Sequence, residues 1–222
     1  FRECSHFCEL VSSTEQLPRL FDTAIRTALG RRGVSVITLP GDLALQKAPK
    51  DAGQAPDLAY RSPVAVPAPD AVRQLADLLN DSSRVTLLCG AGCAGAHDQL
   101  LQLAIKLKSP IVHTMRGKEH VEWDNPFDVG MTGLIGFSSG YYAMCDCDAL
   151  LILGADFPYR QFFPEGVRIA QIDVRPENLG RRAAIELGLI GDVRATVDAL
   201  LPCGERHVPA ERHQPCGRRR AG

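Results

Sequence analysis

The chain has 222 residues and 24.1 kDa, with 25 Lys+Arg against 26 Asp+Glu, 45 % hydrophobic and 6 % aromatic residues. That balance excludes a strongly basic nucleic-acid binder and a low-hydrophobicity disordered chain, and leaves a protein of one or two domains with no nucleic-acid partner expected. No stretch reaches the roughly 18 apolar residues of a membrane span, and the charged start FRECSHFCEL lacks the apolar core of a signal peptide.

The first segment reads as strand, helix, strand. Ser13 to Gln16 fits a capping box, and Leu17, Leu20, Phe21, Ala24, Ile25, Ala28 and Leu29 recur at the spacing of an amphipathic helix. Gly30 and Gly33 are expected to end that helix. Val34 to Leu39 is a near-continuous apolar run, the pattern of a strand buried on both faces. One helix between two strands makes no core, so residues 1–45 read as the end of a larger α/β domain. Residues 46–69 are proline-rich and aperiodic, which suits an extended interdomain linker.

From residue 70 the pattern alternates. Helices are predicted over 70–80, 97–108, near Tyr141 and over 193–201, and strands over 84–89, 111–114, 149–154, 168–173 and 187–190. RGKEHVEWDNP reads as a polar loop. Alternation of this kind predicts a parallel, Rossmann-like sheet with helices on both faces. The last twenty residues, 203–222, hold five Arg and two Glu, so near-neutrality sums over unlike parts. This tail is expected to be disordered. The chain starts at Phe1 rather than Met, and both ends read as cut from something longer.

Candidate ligand positions cluster after strands. Gly90, Gly92 and Gly95 give G-x-G-x-x-G between a predicted strand and helix, where small residues and free N–H groups suit a pyrophosphate. A tight turn with no ligand is the alternative. The acid expected about 20 residues on is missing, and Arg116 and Lys118 stand there instead. Asp173 ends the run RIAQID, where a carboxylate can accept from ribose hydroxyls. Asp192 invites the same reading or that of a helix N-cap. Gly130 to Gly140 and Gly154 to Arg160 supply further loops, so the set describes a large ligand lying across the sheet. Cys4-x-His6-x-Cys8 and the Cys203, His207, His213, Cys216 group match no zinc pattern well. Cys89, inside VTLLC, reads as a buried thiol, which places the chain in a reducing compartment, the cytoplasm. No residue stands out as a general base or nucleophile, so no catalytic residue is assigned.

The strings CGAGCAGAH, PIVHTMRGKEHVEWDNPFDVGMTGLIGFSSG, LGADFPYRQFFP and IAQIDVRPENLG resemble the central domain of bacterial pyruvate oxidase and of quinone-dependent pyruvate dehydrogenase. The likeness runs from Phe1 to about Pro202. It implies a six-stranded FAD-binding domain over 70–202, preceded by the end of a pyrimidine-binding domain. Carried over by motif, flavin contacts would be Thr132, Gly133, Leu134 and Ile135, then Ala155, Asp156, Phe157, Pro158 and Tyr159, with Asp173 on the adenosine ribose and Gly90, Gly92 and Arg116 lining the site. The implied reaction is oxidative decarboxylation of pyruvate to acetate and carbon dioxide, with electrons passing to FAD and then to a quinone. Thiamine diphosphate and magnesium would serve the parent enzyme without being held by this chain. The resemblance also implies further domains as partners, a homo-oligomer, and peripheral association of the parent with the inner membrane. The activating glutamate and the diphosphate–magnesium motif lie outside this chain, so decarboxylation by it alone is not expected. The alternatives are a structural FAD domain of an acetolactate synthase and an inert, non-binding piece.

Overall fold

The computed structural model describes residues 1–48 and 63–203. The chain folds as two units, 1–63 and 64–222. The expectations for most of the linker and for the basic tail after Cys203 fall outside the described residues.

In the first unit, β1 (Phe7–Leu10) and β2 (Ser35–Thr38) pair in parallel, and α1 (Leu17–Arg31) connects them and packs on both. A short α2 (Gly41–Ala44) follows. Two local expectations are corrected. α1 runs through Gly30, and Arg32 closes it in the left-handed region at φ 48°, its N–H donating to Ala28 and Leu29 carbonyls. At its start Gln16 does reach back, but its Oε1 accepts from the N–H of Ser12 at 3.3 Å, and Ser13 makes no side-chain cap. Cys4 lies in a 3-10 turn over Arg2–Cys4, and of Cys4, His6 and Cys8 only Cys8 lies within β1.

The second unit is built on β3 (Val85–Cys89), β4 (Ile111–His113), β5 (Asp128–Met131), β6 (Ala149–Leu153), β7 (Arg168–Asp173) and β8 (Leu187–Ile190). All pairings are parallel and the spatial order is β5-β4-β3-β6-β7-β8. Counted from β3, this is the order 3-2-1-4-5-6 of dinucleotide-binding sheets, whose direction of winding reverses between β3 and β6. The helices are α3 (Pro69–Asn80), α4 (His97–Leu107), α5 (Lys118–Val121), α6 (Ser138–Cys145) and α7 (Val193–Leu200).

Period-two alternation sorts the sheet's two faces. Val85, Leu87, Cys89, Ala149, Leu151, Leu153, Ala170 and Ile172 face α3, α4 and α7 through Leu75, Leu79, Leu100, Leu103, Val193 and Val197. Leu88, Leu150, Ile152 and Ile169 face the other way, onto Met144 of α6 and Cys147. Thr86, a polar residue on that second face, is satisfied by donating to the Ala143 carbonyl at 2.7 Å. Helices therefore cover both faces, as alternation predicts. Two elements are added to the sequence reading. β5 lies where a loop was expected, and α5 makes one turn inside RGKEHVEWDNP. No helix among the described residues is long and apolar enough to cross a membrane.

Candidate functional site

Every strand of the second unit ends on the same edge, and the turns that leave those ends form the candidate site. At the winding reversal, the turn after β3 and the turn after β6 touch backbone to backbone. Gly90 donates its N–H to the Leu153 carbonyl at 2.9 Å, and Gly92 donates to Gly154 at 3.0 Å. A Cβ on Gly90 would lie 2.4 Å from the Gly154 oxygen, and one on Gly154 would lie 2.5 Å from the Gly92 Cα. Gly117 presses on the same place, where its Cβ would meet the Cys89 oxygen at 2.3 Å. The N–H groups of Gly90 and Gly92, which the glycine pattern offered to a pyrophosphate, are thus already bonded. These glycines are explained by the packing of three turns.

Further along the edge, two predicted segments meet. Gly133, at φ +109°, sits against the Phe157 ring, since a Cβ there would lie 3.0 Å from Cε2. Phe157 is buried and packs edge-on against Tyr159 (5.4 Å between centroids) and Phe162, and tilted against Phe163. The loop 131–137 is folded tightly on itself, with Gly136 donating to Gly133 at 2.9 Å and Phe137 to Met131 at 2.8 Å. Thr132 is 3 % exposed, and its hydroxyl has no hydrogen-bond partner among the described residues. The N–H groups of Gly133, Leu134 and Ile135 donate to no group among the described residues. Buried polar atoms without partners are rare in folded proteins, which singles out the Thr132 hydroxyl, whereas Leu134 and Ile135 are exposed. Leu134, Ile135 and Phe137 are about two-thirds exposed, and with Met115 and Val174 they leave an apolar rim along the strand ends.

The carboxylates divide by role. Asp173, 5 % exposed at the end of β7, accepts from the Arg175 N–H at 2.8 Å and from Asn178 Nδ2 at 3.1 Å. A carboxylate has about four acceptor positions, so it keeps capacity for a ligand hydroxyl. Asp156 pairs with Arg182 at 2.7 Å and Arg181 at 3.3 Å; hydrogen bonding from Arg182 holds its carboxyl below the usual range. Asp192 is an N-cap, accepting from Ala195 N–H at 3.0 Å. Arg116 is exposed in the turn after β4. Ala155 is buried beside Gly90, while Pro158 and Tyr159 are exposed. Thr132, Gly133, Phe157 and Tyr159 therefore come together, Gly90, Gly92 and Ala155 form a packed centre, and Asp173 stands at the end of the strand beyond β6.

Cys89 is fully buried, and its thiol is pushed well up by hydrogen bonding with Cys93 and by burial, which suits the inert thiol expected. One group escaped the sequence reading. His113, Glu122 and Asp128 bring ligand-type atoms within 4.8 Å of one another. Burial raises the Asp128 carboxyl above its ordinary range. No short motif announces this trio, because the pairing of β4 with β5 brings it together.

The fold and its strand-end loops define a doubly wound α/β domain of the Rossmann type. The chain belongs to the thiamine pyrophosphate enzyme family, whose central domain matches residues 72–200. It is 64 % identical over 202 residues to an uncharacterized 42.6 kDa protein of Pseudomonas amyloderamosa, covering 91 % of this chain and 51 % of that one. It is 30 % identical to a probable acetolactate synthase large subunit of Methanocaldococcus jannaschii, over 86 % of this chain and 34 % of the relative. The pyruvate oxidase of Lactiplantibacillus plantarum is also 30 % identical, over 83 % and 31 %. The chain thus spans about half of the first relative and about a third of the other two. Benzoylformate decarboxylase from Polynucleobacter necessarius shares the fold, with a TM-score of 0.72 and 21 % identity over 92 % of this chain and 39 % of that structure.

Proposed function

We propose that residues 70–202 form the FAD-binding central domain of a thiamine diphosphate-dependent pyruvate oxidoreductase, which decarboxylates pyruvate to acetate and carbon dioxide and passes electrons through FAD to a quinone. The observation that carries the flavin reading is the buried Thr132 hydroxyl, without a partner among the described residues and next in the chain to Gly133, which lies against the Phe157–Tyr159 wall; the N–H groups of Gly133, Leu134 and Ile135 likewise meet no described acceptor. A flavin supplies what these groups lack: acceptor atoms along a planar ring edge and an apolar surface for the exposed rim. Thr132, Gly133, Leu134 and Ile135 would hold the ring edge, Phe157 and Tyr159 its face, and Asp173 the ribose. Bound FAD accepts and returns electrons; the protein's part is position and electrostatics. Thiamine diphosphate, magnesium and the oligomer contacts belong in this reading to other domains of the parent, which works in the cytoplasm against the inner membrane.

A second reading, a structural FAD domain of an acetolactate synthase, rests on the equal 30 % identity to a relative of that name. Both readings predict that the purified chain, incubated with FAD and desalted, keeps the yellow flavin absorbance. A colourless product refutes both and leaves the inert piece. Pyruvate added without oxygen to the whole parent enzyme separates them, bleaching the flavin of an oxidoreductase and sparing that of a synthase. Asp173→Ala should weaken FAD binding by about 1–3 kcal/mol, the cost of a charged hydrogen bond. Unchanged affinity in a fluorescence titration would overturn the ribose assignment.

A further inference from the structure

Outside the flavin site, three side chains converge whose donor atoms one shared cation would satisfy together. His113 Nδ1 lies 3.2 Å from the Thr114 carbonyl oxygen, which can only accept, so the ring proton sits on Nδ1. That leaves a lone pair on Nε2. The His113 side chain is 2 % exposed, and Nε2 faces Asp128 Oδ1 at 3.4 Å. Neither atom makes a hydrogen bond among the described residues. With the ring in that tautomer two acceptors face each other, a contact that a second ring proton or a bound cation would relieve, and the Glu122 carboxylate completes the set within 4.8 Å.

We propose that His113 Nε2, Asp128 Oδ1 and the Glu122 carboxylate bind a divalent transition-metal ion of the zinc class. Donors about 2.0–2.2 Å from one such ion stand roughly 3.4 Å apart in tetrahedral geometry, the separation His113 and Asp128 already have. The backbone carbonyl on Nδ1 is the usual outer partner that aims a ligating imidazole. One imidazole with two carboxylates selects zinc, iron or nickel over magnesium and calcium, which prefer oxygen alone. Glu122 is 40 % exposed and can rotate inward, leaving the fourth position to water. Lys118, now paired with Glu122, is the competing cation and would be displaced.

The three ligands come from the end of β4, the residue following α5 and the start of β5, so the ion clamps both ends and the middle of the segment 114–127. This role is structural and independent of whether FAD is bound.

The test uses the full chain, stripped with chelator and titrated with Zn²⁺ by calorimetry and with Co²⁺ by visible absorption. One ion should bind, with cobalt d–d bands and no thiolate charge-transfer band. Glu122→Gln should weaken binding at least tenfold and Asp128→Asn further, while Lys118→Met should tighten it severalfold. Glu122 and Lys118 are exposed, so those two variants test the site even if Asp128→Asn fails to fold. Absence of binding overturns the proposal. So does a thiolate band, which would put the ion on cysteines, or an affinity that Glu122→Gln and Lys118→Met leave unchanged.

Discussion

Gly154→Ala isolates what holds the centre of the strand-end site together. Gly154 has φ +56°, where an L residue costs about 1–2 kcal/mol. Its new Cβ would lie 2.5 Å from the Cα and 2.9 Å from the carbonyl carbon of Gly92, both backbone atoms that cannot swing aside. Forcing such an overlap into a packed interior costs about 1–3 kcal/mol more. The expected loss is about 2–5 kcal/mol, a large part of the 5–15 kcal/mol of a typical domain. Gly95→Ala is the control. Its φ is +72° but nothing among the described residues lies within 4 Å of the added carbon, so only the strain of about 1–2 kcal/mol remains. Guanidinium unfolding followed by the single Trp, Trp123, reads the second unit alone. If Gly154→Ala costs no more than Gly95→Ala, the turns after β3 and β6 are not in backbone contact, and their glycines regain the pyrophosphate explanation.

Thr132→Val keeps the shape and removes an unpartnered hydroxyl, so the flavin-free chain should gain about 1 kcal/mol in denaturant unfolding while FAD retention falls. A loss of stability would mean that the hydroxyl already has a partner. Asp192→Ala removes the N-cap of α7 and should cost about 1 kcal/mol, with Asp192→Asn close to neutral. Asp156 titrates lower in the folded chain than unfolded, chiefly through the Arg182 hydrogen bond, so its stabilising contribution is present above the ordinary carboxyl range near pH 4 and is lost as pH falls through the depressed folded value. The stability difference between wild type and Asp156→Asn should therefore be small at pH 7, since the pair is partly exposed, smaller in high salt, and gone in strong acid. A difference that grows on acidification would contradict the pairing.

Much of this molecule is legible in its residues, and the exceptions are instructive. The apolar runs VTLLC, ALLIL and RIAQID declare buried central strands because both of their faces are covered. β5 is silent. It is a four-residue edge strand, DVGM, in which Gly130 sits at φ +95° and Met131 alone is buried. The glycine pattern at 90–95 is correctly placed between strand and helix, yet sequence cannot tell a glycine that lets a phosphate approach from one that lets a second loop approach. Gly154 supplies that second loop 64 positions after Gly90. Asp192 illustrates a choice that geometry settles, since only its 3.0 Å contact with Ala195 separates a cap from a ligand. His113 reads as an inner residue of the short strand 111–114, and its partners depend on which strand lies beside it.

The reversal of winding also sets an order of events during synthesis. β3 lies at the middle of the sheet, but one of its two neighbours is β6, whose Ala149 pairs with Val85 across 64 residues of chain. At about 5–20 residues per second a ribosome takes about 3–13 s to supply that partner. During this interval the apolar flank of β3 can be covered only by β4 and the helices already made. A nascent chain paused between β5 and β6 is therefore the state in which this protein is most exposed to misassociation, and the one that chaperone capture during translation should reveal.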